Sequence, residues 1–332
     1  MSTHPKIFVD GQEGTTGLRI HEYLAARPDL DILKIDSDKR KDPAERARLL
    51  NAADLVFLCL PEDASREALT LITNPAIRVI DASTAFRTHP DWVYGLPELC
   101  PGQRDKLRAA TRVANPGCHA TAFILSVHPL VRAGILAPHA TLAAYSLTGY
   151  SGGGKKMIAQ YEDTANAEKL RAPRPYALTM QHKHLPEMQH VSGLTQPPLF
   201  TPIVCSVYAG LCVETFLPAA VLQKSVTAKE VRQVLSDHYK NEPFVHVLSP
   251  DNPAYRETTL EITPCNGTNR AEILVFGPEK SAPSPKGENQ TSTSQNVTLY
   301  ARLDNLGKGA SGAAIQNMNL MLGMPESTGL TA

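Results

Sequence analysis

The run Asn115-Pro116-Gly117-Cys118 sets a thiol directly after a Pro-Gly turn and just before the apolar residues Ala122 to Leu125. Four uses are open to such a cysteine: core packing, a disulfide, a metal ligand or a nucleophile. Core packing is the commonest. A place at the start of an expected helix argues for the nucleophile, because free N–H groups there favour a thiolate and lower its pKa. A thiolate attacks carbonyl carbon and forms a thioester. That chemistry wants a proton carrier, and the segment from Gln181 to Glu187 carries His182 and His184. In an extended stretch positions 182 and 184 face one side, and Pro186 marks a helix start. The pair lacks an obvious third ligand, and no Cys-x-x-Cys occurs, so no metal is expected. His119 is weaker, since a helix turns it away from its neighbour. Cys59, Cys205 and Cys212 read as ordinary core thiols.

Groups suited to anions accompany the thiol. Asp81 to Arg87 leaves an expected strand, and Arg87 has the fork geometry to clamp a phosphate or carboxylate. Gly149 to Lys156, with Ser151 and Gly152, is glycine-rich and then basic, a pattern that binds anions through backbone N–H groups. Gly11, Gly14 and Gly17 let a chain approach a pyrophosphate closely.

These residues need elements to hold them. Lys6 to Asp10, Ile32 to Asp36, Leu55 to Leu60 and Arg78 to Asp81 read as strands, with helices at Leu18 to Leu24, Pro43 to Ala53 and 62–72 between them. That alternation implies an α/β, doubly wound parallel sheet, which binds ligands at the carboxyl ends of its strands. The glycine loop falls at the first strand-to-helix turn, where a dinucleotide binds. Asp36 ends the second strand, but Ser37, Lys39 and Arg40 follow, and such a cluster suits a 2′-phosphate, hence NADP. The second half is richer in strands: Thr141 to Leu147, Pro202 to Cys212, Leu260 to Thr263, Ala271 to Phe276 and Val297 to Leu303, with a helix at 228–240. An α+β domain with a largely antiparallel sheet is expected there. Residues 277–295 read as a long polar surface loop, and Ala310 to Leu322 as a closing helix.

Thirty-three Lys+Arg balance thirty-three Asp+Glu across 332 residues, so nothing points to nucleic acid. No basic start leads into a signal sequence and no run is long enough for a membrane helix. A cytoplasmic protein with reduced thiols is the expectation.

Taken in order, these motifs resemble a family. Gly11 to Gly17, Asp81 to Arg87, Tyr94 to Glu98, Asn115 to Cys118, His182 to Glu187 and Asp304 to Gly312 are similar to the phosphorylating semialdehyde dehydrogenases. Within them they match the short type of the N-acetyl-γ-glutamyl-phosphate reductase family, over nearly the whole chain. The resemblance implies NADPH-dependent reduction of N-acetylglutamyl phosphate to the semialdehyde, with release of phosphate, in arginine biosynthesis. It implies Cys118 as the acyl carrier, with His184 ahead of His182 as the proton donor. Gly11, Gly14, Thr15, Thr16, Gly17, Ser37, Arg40, Pro61, Ser83, Asn305 and Lys308 would lie at the cofactor. Arg87, Asn115, Ser151 and Gly152 would lie at the substrate. The cofactor domain would comprise residues 1–117 and 304–332. Residues 118–303 would form the catalytic and oligomerisation domain of a homodimer or homotetramer. The rivals are an aspartate-semialdehyde dehydrogenase and a dinucleotide-sensing regulator without catalysis. The His182 to Glu187 and Asp304 to Gly312 segments argue against the first, and the intact thiol and histidine pair against the second.

Overall fold

The computed structural model describes residues 4–12, 14–256, 258–279 and 296–332. Six short strands make the first sheet: β1 (Lys6–Asp10), β2 (Asp31–Leu33), β3 (Leu55–Leu58), β4 (Arg78–Asp81), β5 (Val93–Tyr94) and β6 (Arg112–Ala114). They lie in the order β2-β1-β3-β4-β6-β5, all parallel. Ile7, Phe8 and Val9 of β1 and every residue of β3 are buried, as strands covered on both faces require. Helices Thr15–Ala25, Pro43–Ala52 and Glu62–Thr70 make the crossovers. Asp42 caps the second of these by accepting the Ala44 N–H, with Pro43 opening the helix. The chain leaves β1 toward β2 and returns past it to β3. The ends of β1 and β3 therefore flank a crevice, the point where such sheets bind ligands.

The second sheet has seven strands: β7 (Ala143–Gly149), β8 (Arg174–Pro175), β9 (Leu199–Cys205), β10 (Leu211–Leu217), β11 (Val245–Val247), β12 (Ala271–Phe276) and β13 (Val297–Leu303). Their order is β11-β12-β13-β10-β7-β9-β8, antiparallel except where β11 meets β12 and β7 meets β9. The helix Cys118–Arg132 packs beneath it. Its sequence is apolar on nearly every side, and the fold buries it almost completely, beside the helix Ala228–His238.

Several strand expectations change. The strand expected over Pro202 to Cys212 is two strands, because Gly210 at φ +113 turns the chain between them. Residues 260–263 form no strand; they precede the turn around Gly267. The second strand ends at Leu33 rather than Asp36, and the third at Leu58 rather than Leu60. The polar segment 277–295 lies outside the described residues from position 280 onward.

After β13 a π turn, Gly307–Ser311, leads into the helix Gly312–Met321. That helix returns to the first sheet, where Ala314, Ile315 and Met318 pack with Ile7, Val9 and Ile20. Among the described residues no helix is long and apolar enough to cross a membrane, and no group of three or more His, Cys, Asp or Glu could hold a metal.

Candidate active site

A cleft of about 390 Å³ runs between the two sheets. Gly14, Thr15, Thr16, Cys59 and Leu60 border it from the β1 and β3 ends. Gly11 adopts φ +88, and a Cβ there would stand 2.4 Å from the Cys59 carbonyl. A Cβ on Gly17 would stand 2.4 Å from the Gly11 carbonyl. Both glycines are thus required for the tight turn, whereas a Cβ on Gly14 would meet nothing nearer than 3.5 Å. No side chain caps the helix that Gly14 opens, and its first turn holds no acid. Thr15 Oγ1 has no hydrogen-bond partner. Free N–H groups, an open glycine and an unpaired hydroxyl fit the pyrophosphate of a dinucleotide.

The thiol lies across the cleft. β6 ends at Ala114, and the buried residues Asn115, Pro116 and Gly117 deliver Cys118 to the first position of its helix. The Asn115 Nδ2 donates to the Ala310 carbonyl at 2.9 Å, so the turn is tied to the returning π turn. Gly309 approaches so closely that a Cβ on it would stand 2.7 Å from the Cys118 Cβ. The thiol is not a ready thiolate. Burial pushes it up to about 11, outweighing the His119 backbone N–H and the Arg87 charge, which pull it down. This corrects the expectation of a helix-lowered pKa: the helix start acts as expected but loses to desolvation.

Three imidazoles face this thiol's cleft. His182 and His184 both line it and are buried. The His184 backbone N–H donates to His182 Nδ1 at 3.1 Å, and the two rings meet edge to face at 4.7 Å. His184 then takes the N-cap position of the helix Leu185–Ser192 without a side-chain capping bond, and Pro186 lies in the first turn. His119 also lines the cleft, 5.3 Å from the His182 ring and 5.5 Å from the His184 ring. It was expected to point elsewhere; Ser146 on β7 and the Tyr176 hydroxyl draw it inward, at 2.9 and 3.0 Å. Burial lowers all three, His119 to about 3, His182 to about 4 and His184 well below its ordinary value. At neutral pH all three are uncharged; His182 Nδ1 and both His119 ring nitrogens already have hydrogen-bond partners, whereas His184 Nδ1 has none.

Glu187, one turn into that helix, is 1% exposed. It accepts from Arg87 Nη1 at 2.6 Å, from the Tyr94 hydroxyl at 2.8 Å and from the Gly117 N–H at 3.1 Å. Its carboxylate also lies 4.0 Å from His184 Nε2. Arg87 spends two more N–H groups on the Asn115 and Ala82 carbonyls. Removing one partner of so buried an ion pair costs about 3–5 kcal/mol. A Cβ on Gly117 would stand 2.4 Å from His184 Nε2 and 2.5 Å from Arg87 Nη1, so glycine is needed for that convergence.

The remaining expected residues divide. Ser151 and Gly152 line the cleft, as does Asn305, whose Nδ2 donates to Ser151 Oγ at 2.9 Å while its Oδ1 accepts the Gly210 N–H. Ser83 is held by Asp81 and lies outside the lining, as do the exposed Ser37, Arg40 and Pro61. Lys308 departs from the expected cofactor set. The π turn rotates it away from the cleft into full burial, where its Nζ lies 2.7 Å from both Glu98 Oε1 and Gln316 Oε1. Cys59, expected inside a strand, sits just past it on the cleft wall. Reading residues one by one missed Tyr176 and Thr148, whose places in the lining have no local signal. Glu187 was legible only as part of its motif.

A parallel dinucleotide-type sheet joined to a mixed sheet, with a thiol and imidazoles in the cleft between, defines the nicotinamide-dependent semialdehyde dehydrogenase class. The family models agree: "semialdehyde dehydrogenase, NAD binding domain" matches residues 6–108, and "semialdehyde dehydrogenase, dimerisation domain" matches 118–282. The chain belongs to this class and, within it, to the N-acetyl-gamma-glutamyl-phosphate reductase family. N-acetyl-gamma-glutamyl-phosphate reductase 2 of Nostoc sp. is 43% identical, covering 98% of this chain and 99% of that protein. The reductase of Rhizobium meliloti is 42% identical, over 96% and 99%. Among solved structures, aspartate semialdehyde dehydrogenase II of Vibrio cholerae superposes with a TM-score of 0.68 at 16% identity, over 97% of this chain and 99% of that one. The Francisella tularensis enzyme gives 0.69 at 13%, over 96% and 100%. These last two share the fold.

Proposed function

We propose that the chain reduces N-acetylglutamyl phosphate to N-acetylglutamate semialdehyde and phosphate, the step its relatives' names describe, in arginine biosynthesis. The observation that carries this is a half-buried thiol at a helix start, facing neutral imidazoles, opposite an uncapped glycine-loop helix. A neutral imidazole, His184 or His182, takes the Cys118 proton as sulfur attacks the acyl carbon, so the thiolate forms only in the attack. The bond between the acyl carbon and the bridging oxygen then breaks, and phosphate leaves with that oxygen and the electron pair and takes a proton from solvent. When bound, the reduced nicotinamide supplies hydride to the thioester carbonyl carbon. As the resulting alkoxide reforms a carbonyl, the C–S bond breaks and the imidazolium returns its proton to sulfur.

Gly11, Gly14, Thr15, Thr16, Gly17 and Asn305 are the cofactor set we favour. Ser37 and Arg40, just beyond β2, support NADP over NAD. Arg87, Asn115, Ser151 and Gly152 are assigned to the substrate side. We take residues 1–117 with 304–332 as the cofactor unit and 118–303 as the catalytic unit of a cytoplasmic homodimer or homotetramer. The matched dimerisation model supports the latter.

The test runs the reaction in reverse with N-acetylglutamate semialdehyde, phosphate and NADP or NAD. Phosphate-dependent reduction that falls at least about 10⁴-fold in Cys118→Ser is the expected result. Activity surviving that change, or none in the wild type, sinks the proposal; aspartate semialdehyde is the substrate to try next.

A further inference from the structure

Among the described residues two cations line the cleft, Arg87 and Lys183, and no carboxylate does. They differ in how their charge is spent. Arg87 is matched by the buried Glu187 at 2.6 Å and shares three of its N–H groups with Glu187 and two carbonyls. Lys183 is exposed at the rim and, among the described residues, makes no ion pair or hydrogen bond. It lies between His182 and His184 in the chain and lines the same cleft as Cys118, His119 and both of those imidazoles. The unmatched positive charge of the cleft therefore sits on the segment that carries the two imidazoles.

Resting on the function proposed above, we infer that Lys183 is the anion anchor of the site and holds the phosphoryl group of the acyl phosphate, or inorganic phosphate in reverse. The phosphoryl is the only anionic group directly bonded to the acyl carbon that sulfur attacks. An ammonium with three rotatable donors suits a group that must turn as it leaves. A wet, rim-facing ammonium also binds without the desolvation cost of a buried one.

Lys183→Met and Lys183→Arg separate this role from a structural one. In the reverse reaction Lys183→Met raises the KM for phosphate about tenfold to a hundredfold, the worth of a charge-assisted contact. The KM values for semialdehyde and cofactor stay within about twofold, and Lys183→Arg recovers most of the phosphate affinity. A readout without turnover accompanies it: phosphate protection of Cys118 against iodoacetamide, followed at that residue by mass spectrometry. Half-protection moves to about tenfold more phosphate in Lys183→Met. An unchanged phosphate KM, or a rise confined to the semialdehyde, overturns the anchor while the reductase reading stands. A wild type without turnover, whose phosphate protection still depends on Lys183, overturns the reading while the anchor stands.

Discussion

Two strand-to-helix junctions face each other across the cleft, and they use one backbone device for different ends. At the first, β1 passes through Gly11 and Gly14 into the helix from Thr15; at the second, β6 passes through Pro116 and Gly117 into the helix from Cys118. Neither helix has a side-chain cap, so both offer free N–H groups. At the first, Gly14 is exposed and the donors are open to a ligand's phosphates. At the second, residues 115–117 are buried, and the Gly117 N–H is already taken by Glu187. Access to water, not helix geometry, decides whether a helix start serves as an anion site or as a mount for a side chain.

Adding one methyl to each junction tests this division. Gly117→Ala has the larger effect. Its Cβ falls on His184 Nε2 and Arg87 Nη1, both held by packing. Moving them by about 1 Å is expected to cost about a hundredfold in kcat, with the cofactor KM unchanged. An active Gly117→Ala enzyme would mean that His184 is not poised by this contact. Gly11→Ala strikes the other side. The φ of +88 and the approach to the Cys59 carbonyl make it cost about 2 kcal/mol or more, roughly 4 °C or more in Tm. The cofactor KM rises about tenfold while Cys118 keeps its alkylation rate. Equal damage to thiol and cofactor binding in both variants would erase the distinction between the junctions.

The same contrast explains what was legible in the sequence. Glycine spacing after an apolar strand announces the first junction, because its role rests on backbone conformation that only glycine permits. The Asn115 to Cys118 run and the His182 to Glu187 segment name the chemistry at the second. Its electrostatics are not local. Tyr94, Arg87 and Glu187 meet across ninety or more residues of chain, and the turning of His119 inward depends on Ser146 and Tyr176. Lys308 misled for a related reason: its motif sits at the cleft, but the π turn aims consecutive residues in different directions. Gly309 thus meets Cys118 while Lys308 meets Glu98. The single strand expected over 202–212 failed because its apolar run hides the turn that Gly210 makes.

The smallest effect at issue is the helix start's own pull on the thiol. A helix N-terminus is worth about 0.3–1 kcal/mol to a nearby negative charge, less than one pKa unit at about 1.4 kcal/mol. Burial moves Cys118 the other way, up to about 11. Below its pKa the thiolate fraction, and with it the iodoacetamide rate, rises tenfold for each pH unit. The ligand-free enzyme is therefore expected to show Cys118 alkylation climbing through pH 7, 8 and 9 without levelling. Removing the Arg87 charge with Arg87→Met should shift the curve to higher pH, because that cation pulls the thiol down. A plateau already reached near pH 7 would mean that the helix start outweighs burial. The two junctions would then be the same anion site, one filled by phosphate and the other by sulfur.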